Sequence, residues 1–277
     1  MAHQITNPHN DLDVMECLTK FREPLIRQII TSLHISMCTR GLDAGCGLGF
    51  FTHLLARQTG MNGHVTGLDI SKELITLARK EYANPYVDFA TGDINHLSFE
   101  PATFDWIWSM DTLWPGSPEN GCPFTSPDPV MKSFYRLLKP GGRLFLLFWS
   151  GQKLLPGHPL LEARLNATVP ANAPFTPDMD PYLHILNCKH WFQNAGYDEI
   201  ESITFVRNVC SPLCDNSKKA LAILYRMLWG NSREELPEDI REQYFRFCIP
   251  GSAAFIPDQP HFCGFYTYTL FMGTKPK

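Results

Sequence analysis

Residues 11 to 36 place Leu12, Met15, Leu18, Phe21, Leu25, Ile29, Ile30 and Leu33 at steps of mostly three and four, the spacing that gives a helix one apolar face. A helical cover over residues 1–38 is expected, with Pro24 dividing it into two helices, because proline lacks the N–H that an interior turn needs. From Thr39 the period changes. Gly41 to Ala44 reads as a short strand, Phe51 to Arg57 as a helix and His64 to Asp69 as a strand, and Ser71 is the expected N-cap of a helix reaching Tyr82. Strand-like runs at Tyr86 to Ala90 and Phe104 to Trp108 come next. A helix near Pro129 to Leu138 then leads through a turn at Pro140-Gly141-Gly142 into the apolar run Arg143 to Phe148. Strands alternating with helices build a largely parallel sheet covered on both faces, so residues 39–150 are expected to form a doubly wound α/β core.

Beyond Trp149 the pattern loosens. Residues 151–186 carry Pro156, Pro159, Pro170, Pro174, Pro177 and Pro181 around one modest helical run near Leu160 to Leu165, the composition of an inserted lid. Residues 187–206 return to the core with a helix from Lys189 to Ala195, a stop at Gly196 and a strand from Ile200 to Val206. Residues 207–260 form a helical cap insertion holding Ser217 to Trp229 and Pro237 to Phe247, and residues 261–277 a final core strand around Phe265 to Met272. About fifty residues between the last two strands exceed an ordinary connection.

Composition removes several function classes. A chain of 277 residues, 44% hydrophobic and 19% charged, can bury a substantial core. A formal charge of -4 with no Lys or Arg run gives no footprint for a phosphate backbone, so no nucleic-acid partner is expected. No stretch is long and apolar enough to span a bilayer, and the first fifteen residues lack the basic and apolar regions of a signal peptide. A cytoplasmic protein with no membrane partner is therefore expected. Nine scattered cysteines argue for free thiols rather than a disulfide framework. Cys210 and Cys214 form a C-x-x-x-C pair that no second pair completes, and His158, His184, His190 and His261 lack metal-ligand pairing, so no metal site is expected.

Gly45, Gly47 and Gly49 follow a strand and precede a helix, where missing Cβ atoms let the backbone turn tightly against a nucleotide-like ligand. An incidental tight turn would look the same. Asp69 ends the second strand about twenty residues later, where a carboxylate accepts from two ribose hydroxyls. Its alternative role is to cap the following helix.

Four segments in order, LDAGCGLG from Leu42, GLDIS from Gly67, TGDI from Thr91 and LLKPGGRL from Leu137, resemble the class I S-adenosylmethionine-dependent methyltransferases. The chain is most similar to the small-molecule enzymes of the ubiquinone and menaquinone biosynthesis type. The resemblance covers roughly residues 39 to 149. It implies a Rossmann-like, doubly wound seven-stranded sheet, mostly parallel with the last strand antiparallel, plus N-terminal helices and a helical and loop cap. S-adenosylmethionine would be the cofactor, with Asp43, Gly45 and Gly47 around its methionine part and Gly49 in the same cofactor-binding loop. Asp69 would hold the ribose, Ile70 would pack on the adenine, Asp93 and Ile94 would contact the adenine edge, and Met110 would lie near the sulfonium.

The chemistry of these residues agrees with that reading. Three aspartates supply negative potential for an ammonium and a sulfonium, whereas a pyrophosphate would need the reverse. A nicotinamide-dependent oxidoreductase is the competing enzyme class, but Phe50 stands where its third glycine would allow close helix–strand packing. A cofactor-binding protein without turnover shares every cofactor motif. Methyl transfer needs chiefly alignment, and a base is optional. Asp111, just past the fourth strand, is the candidate base, with loop capping between Ser109 and Trp114 as its alternative role. The acceptor is expected to be a small molecule, apolar or aromatic. Trp108, Trp114, Phe124, His158, Phe175, Tyr182, His184, Trp229, Phe255, His261 and Phe262 are the residues in or near the insertions that suggest it, each with core packing as its alternative.

Overall fold

The computed structural model describes residues 11–118, 121–175 and 178–277, with the side chains at 233 and 234 excepted. The first ten residues of the expected helical cover, and positions 176 and 177 of the expected lid, lie outside them.

Strands β1 (Arg40–Ala44), β2 (His64–Asp69), β3 (Val87–Thr91), β4 (Phe104–Met110), β5 (Leu138–Lys153), β6 (Asp198–Cys210) and β7 (Cys263–Thr274) form one sheet in the order β3-β2-β1-β4-β5-β7-β6. β1 to β5 are parallel to their neighbours. Along β5 and β7, Gly142 meets Lys275 while Gly151 meets Thr267, so these two strands run in opposite senses. Thr204 meets Thr269 while Cys210 meets Cys263, so β6 and β7 are antiparallel as well. The mostly parallel seven-stranded sheet with its last strand antiparallel is thus the one expected from the sequence.

The α-helices among the described residues are α1 (Leu12–Ser32), α2 (Phe50–Thr59), α3 (Lys72–Tyr82), α4 (Asp128–Leu137), α5 (Pro159–Asn166), α6 (Val169–Asn172), α7 (Cys188–Ala195), α8 (Asp215–Trp229) and α9 (Glu238–Cys248). β1 and β2 are buried nearly end to end, the mark of strands covered on both faces. α2 and α3 pack against β2 and β3. α3 starts where the sequence places it, because the Ser71 hydroxyl accepts from the Leu74 N–H at 3.3 Å.

Two compact units divide the chain. One, the sheet unit, comprises Ile26–Ser150, Asp178–Phe205 and Tyr268–Lys277; the other, the helical unit, comprises Met1–Leu25, Gly151–Pro177 and Val206–Thr267. In the helical unit, Tyr225 and Trp229 of α8 stack at 5.6 Å. Their polar atoms are satisfied by the Leu154 carbonyl and the Asn166 side chain, each at 2.8 Å. Buried Glu162 accepts from the Leu154 N–H at 2.8 Å.

Three expectations are corrected. Pro24 does not divide the N-terminal stretch: α1 is continuous, with Pro24 on its exposed side, where a carbonyl left without its N–H partner faces water, and Phe21 and Leu25 buried beside it. Pro140-Gly141-Gly142 is no turn between elements. It lies inside β5, where the register against β4 jumps from Phe104–Leu138 to Trp106–Arg143 and the surplus residues bulge out. Cys210 and Cys263 are not free thiols but a disulfide that links the paired strands β6 and β7. The remaining seven cysteines are free.

Candidate cofactor site

The carboxyl ends of the adjacent parallel strands β1, β2 and β3 fall on one edge of the sheet, and the strand order reverses between β1 and β4. Ligands of open α/β sheets sit outside such a reversal. Asp43, near the end of β1, is in register with Gly67 of β2 and Trp108 of β4. Its carboxyl is buried and accepts from the Thr52 hydroxyl of α2 at 2.6 Å. Burial pushes Asp43 up to about 7, against the lowering effect of the Thr52 bond and with a further upward push from the Asp69 charge.

The loop from Gly45 to Gly49 hangs on β2. The N–H groups of Gly45 and Cys46 both donate to the Leu68 carbonyl, at 2.8 and 2.9 Å, and that of Gly47 donates to Asp69 Oδ2 at 2.9 Å. Gly45 has φ +90, and a Cβ there would stand 2.0 Å from Thr112 Oγ1. Gly49 has φ +78, and its Cβ would meet Phe89 and Ala78 at 2.7 and 2.8 Å. Gly49 therefore supplies the close approach of α2 to the sheet. Phe50, at the position of a dinucleotide fingerprint's third glycine, sits edge-on to Phe51 and Tyr82.

Asp69 holds both its flanks: Oδ2 takes the Gly47 N–H and Oδ1 takes the Ser71 N–H, each at 2.9 Å. Capping of α3 falls to Ser71. Ile70, next to Asp69, is 72% exposed. Asp93 follows β3 and is tied in by Asn95, whose backbone N–H donates at 2.8 Å and, with His96, lowers its carboxyl below the usual range. Ile94 is buried, and the Gly92 N–H donates to the Asp69 carbonyl at 2.9 Å. Met110 ends β4 opposite Leu147 of β5.

Asp111 has a left-handed backbone, φ 50. Its Oδ1 accepts from the Trp149 N–H at 2.8 Å and its Oδ2 from the Tyr268 hydroxyl at 2.6 Å. Of the aromatic residues singled out in the sequence, Trp108, Trp229, Phe255 and Phe262 are buried. Trp114, Phe124, His158, Phe175, Tyr182 and His184 are half-buried, and His261 is exposed. The sequence reading missed Thr52, Ser109, Thr112 and Tyr268. Thr52 could have been found, as a hydroxyl on the mostly apolar buried face of α2. Ser109 donates to the Ala44 carbonyl at 2.7 Å and ties β4 to β1. Among the described residues, no group of three His, Cys, Asp or Glu is arranged to hold a metal, and no helix is long and apolar enough to cross a membrane.

The family model for a methyltransferase domain matches residues 36–196. The demethylmenaquinone methyltransferase of Symbiobacterium thermophilum is 32% identical over 128 residues, 44% of this chain and 47% of that protein. The ubiquinone biosynthesis O-methyltransferase of Xylella fastidiosa is 40% identical over 112 residues, 39% of this chain and 40% of that protein. The chain thus spans less than half the length of both curated relatives. The solved YcgJ protein of Bacillus subtilis matches with a TM-score of 0.54 and 16% identity over 92% of this chain and 99% of its own, a likeness of fold.

Proposed function

Because the chain belongs to the methyltransferase-domain family, whose methyl donor is S-adenosylmethionine, we propose that it transfers a methyl group from that donor to a small apolar or aromatic acceptor by direct displacement. The observation that carries this reading is the set of Asp43, Asp69 and Asp93 at the ends of three adjacent strands around one glycine loop. A cationic donor fits such a set, and a pyrophosphate does not.

The residues present suit the parts of that donor. Asp43, Gly45, Gly47 and Gly49 are assigned to its methionine portion, where an ammonium would restore the charge that burial suppresses on Asp43. Asp69 is assigned to the ribose hydroxyls: a carboxylate offers about four acceptor sites, more than its two backbone bonds use. Exposed Ile70 is assigned to one face of the adenine, Asp93 and Ile94 to its edge, and Met110 to the neighbourhood of the sulfur. The bound donor supplies an electrophilic methyl group. The chain's own contribution is alignment and exclusion of water, effects that together lower a barrier by about 7–11 kcal/mol when geometry is right. Where the acceptor must lose a proton, Asp111 is assigned to receive it, oriented by Tyr268 and Trp149. The quinone-type names of the relatives support an aromatic acceptor.

Titration calorimetry with S-adenosylmethionine and S-adenosylhomocysteine tests the donor site, and absence of binding by both would sink the reading. Methyl release from labelled donor over a panel of phenols and hydroquinones then tests catalysis. Binding without release across the panel would replace the enzyme with a cofactor-binding protein, and binding of a nicotinamide dinucleotide instead would point to an oxidoreductase.

A further inference from the structure

Within the helical unit, α8 has a second use. Lys219, Ala222, Ile223 and Arg226 recur at three- and four-residue steps, so they share one helix face, and that face, with Gly230 just past its end, lines a cavity of about 610 Å3. Its other walls include Tyr244 of α9 and, from the segment after it, Ile249 and Phe255. The volume falls within the roughly 300–1,000 Å3 of small-molecule pockets. None of the lining residues belongs to the set assigned to the methyl donor.

The charges at this cavity are unbalanced. Asp258 is the only acid among the lining residues, and the Lys218 ammonium neutralises it at 2.7 Å. Lys219 and Arg226 have no acidic partner among the described residues. Seven residues of helix separate them, about 10 Å along the axis at 1.5 Å per residue. An apolar floor of Ala222, Ile223 and Phe255 between two cations that no acid among the described residues neutralises suits a ligand with an apolar body and an anionic end. A guanidinium matches the two oxygens of a carboxylate better than a point charge does, which favours Arg226 as the seat of the anion.

We propose that this cavity binds an apolar monocarboxylate, its hydrocarbon body on the α8 floor and its carboxylate on Arg226. The proposal does not depend on the methyl-transfer reading. Titration of the full chain with decanoate and with decanol tests it. Decanoate should bind saturably at one site and at least tenfold more tightly than decanol. Arg226→Gln should weaken decanoate at least tenfold while leaving decanol unchanged, and Ala222→Trp should abolish both. S-adenosylhomocysteine binding should stay within twofold in each variant. If Ala222→Trp loses its cooperative melt, Ile249→Trp, at the exposed rim, fills the same space. No saturable decanoate binding, equal affinity for the two probes, or undiminished binding in Arg226→Gln or the filled variant would overturn the proposal.

Discussion

The Tyr268 hydroxyl donates to Asp111 Oδ2 at 2.6 Å across 157 residues of sequence, tying the loop after β4 to β7. With the Trp149 N–H on the other oxygen, this bond pins a non-glycine residue at φ 50, a conformation that costs about 1–2 kcal/mol unless its surroundings hold it. Tyr268→Phe should lose about 1–3 kcal/mol of stability in urea denaturation, the range for a buried acceptor that loses its partner. Asp111→Ala should lose more. The double variant should lose less than the two single losses together, and strict additivity would show that the pair does not act as a unit.

Asp43 makes stability depend on pH with a definite sign. Its carboxyl sits at about 7 in the folded chain and near 3.9 in the unfolded one, so between those values the folded state holds the extra proton. Stability contributed by this group therefore falls as pH rises from about 4 to 7. Relative to wild type, Asp43→Asn should gain up to about 4 kcal/mol between pH 4 and pH 8, read from urea midpoints. A constant difference between the two proteins over that range would refute the assignment.

Gly45→Ala meets two obstacles, the Thr112 side chain and its own φ of +90. Removing the first by Thr112→Ala should restore only part of the lost stability, leaving about 1–2 kcal/mol for the backbone conformation. Full rescue by Thr112→Ala in thermal melts would mean that contact alone requires the glycine.

Ile70 is 72% exposed in the free chain, so shortening it removes little that holds the fold. Ile70→Ala should leave the melting temperature nearly unchanged while weakening S-adenosylhomocysteine about five- to tenfold, the effect of losing apolar surface on one face of the adenine. A fall in melting temperature with unchanged affinity would remove Ile70 from the site.

The parts of the fold legible in the sequence are those whose cause is local. β2 falls at His64–Asp69 and α3 starts after Ser71, as read, because strand alternation and a capping hydroxyl act within a few residues. The glycine loop and the three aspartates were visible because each lies at or just past the end of its own strand. Contacts set by distant pairing were not. Tyr268 reaches Asp111, and Cys263 reaches Cys210, only once β7 has inserted between β5 and β6. Pro140-Gly141-Gly142 carries every local sign of a turn, and only the register against β4 reveals a bulge.

The three aspartates also form a ruler. Neighbouring strands lie about 4.8 Å apart, so residues hanging from β1, β2 and β3 sample the sheet edge at nearly fixed intervals over about 10 Å. Asp43 and Asp69 are fixed within β1 and β2 by the strand ladder, and Asp93 alone lies in the connection that follows its strand. Lengthening the connection after β3 therefore displaces Asp93 and leaves the spacing of the other two untouched, so drift in that loop would loosen one portion of an adenosyl ligand without erasing recognition of the rest.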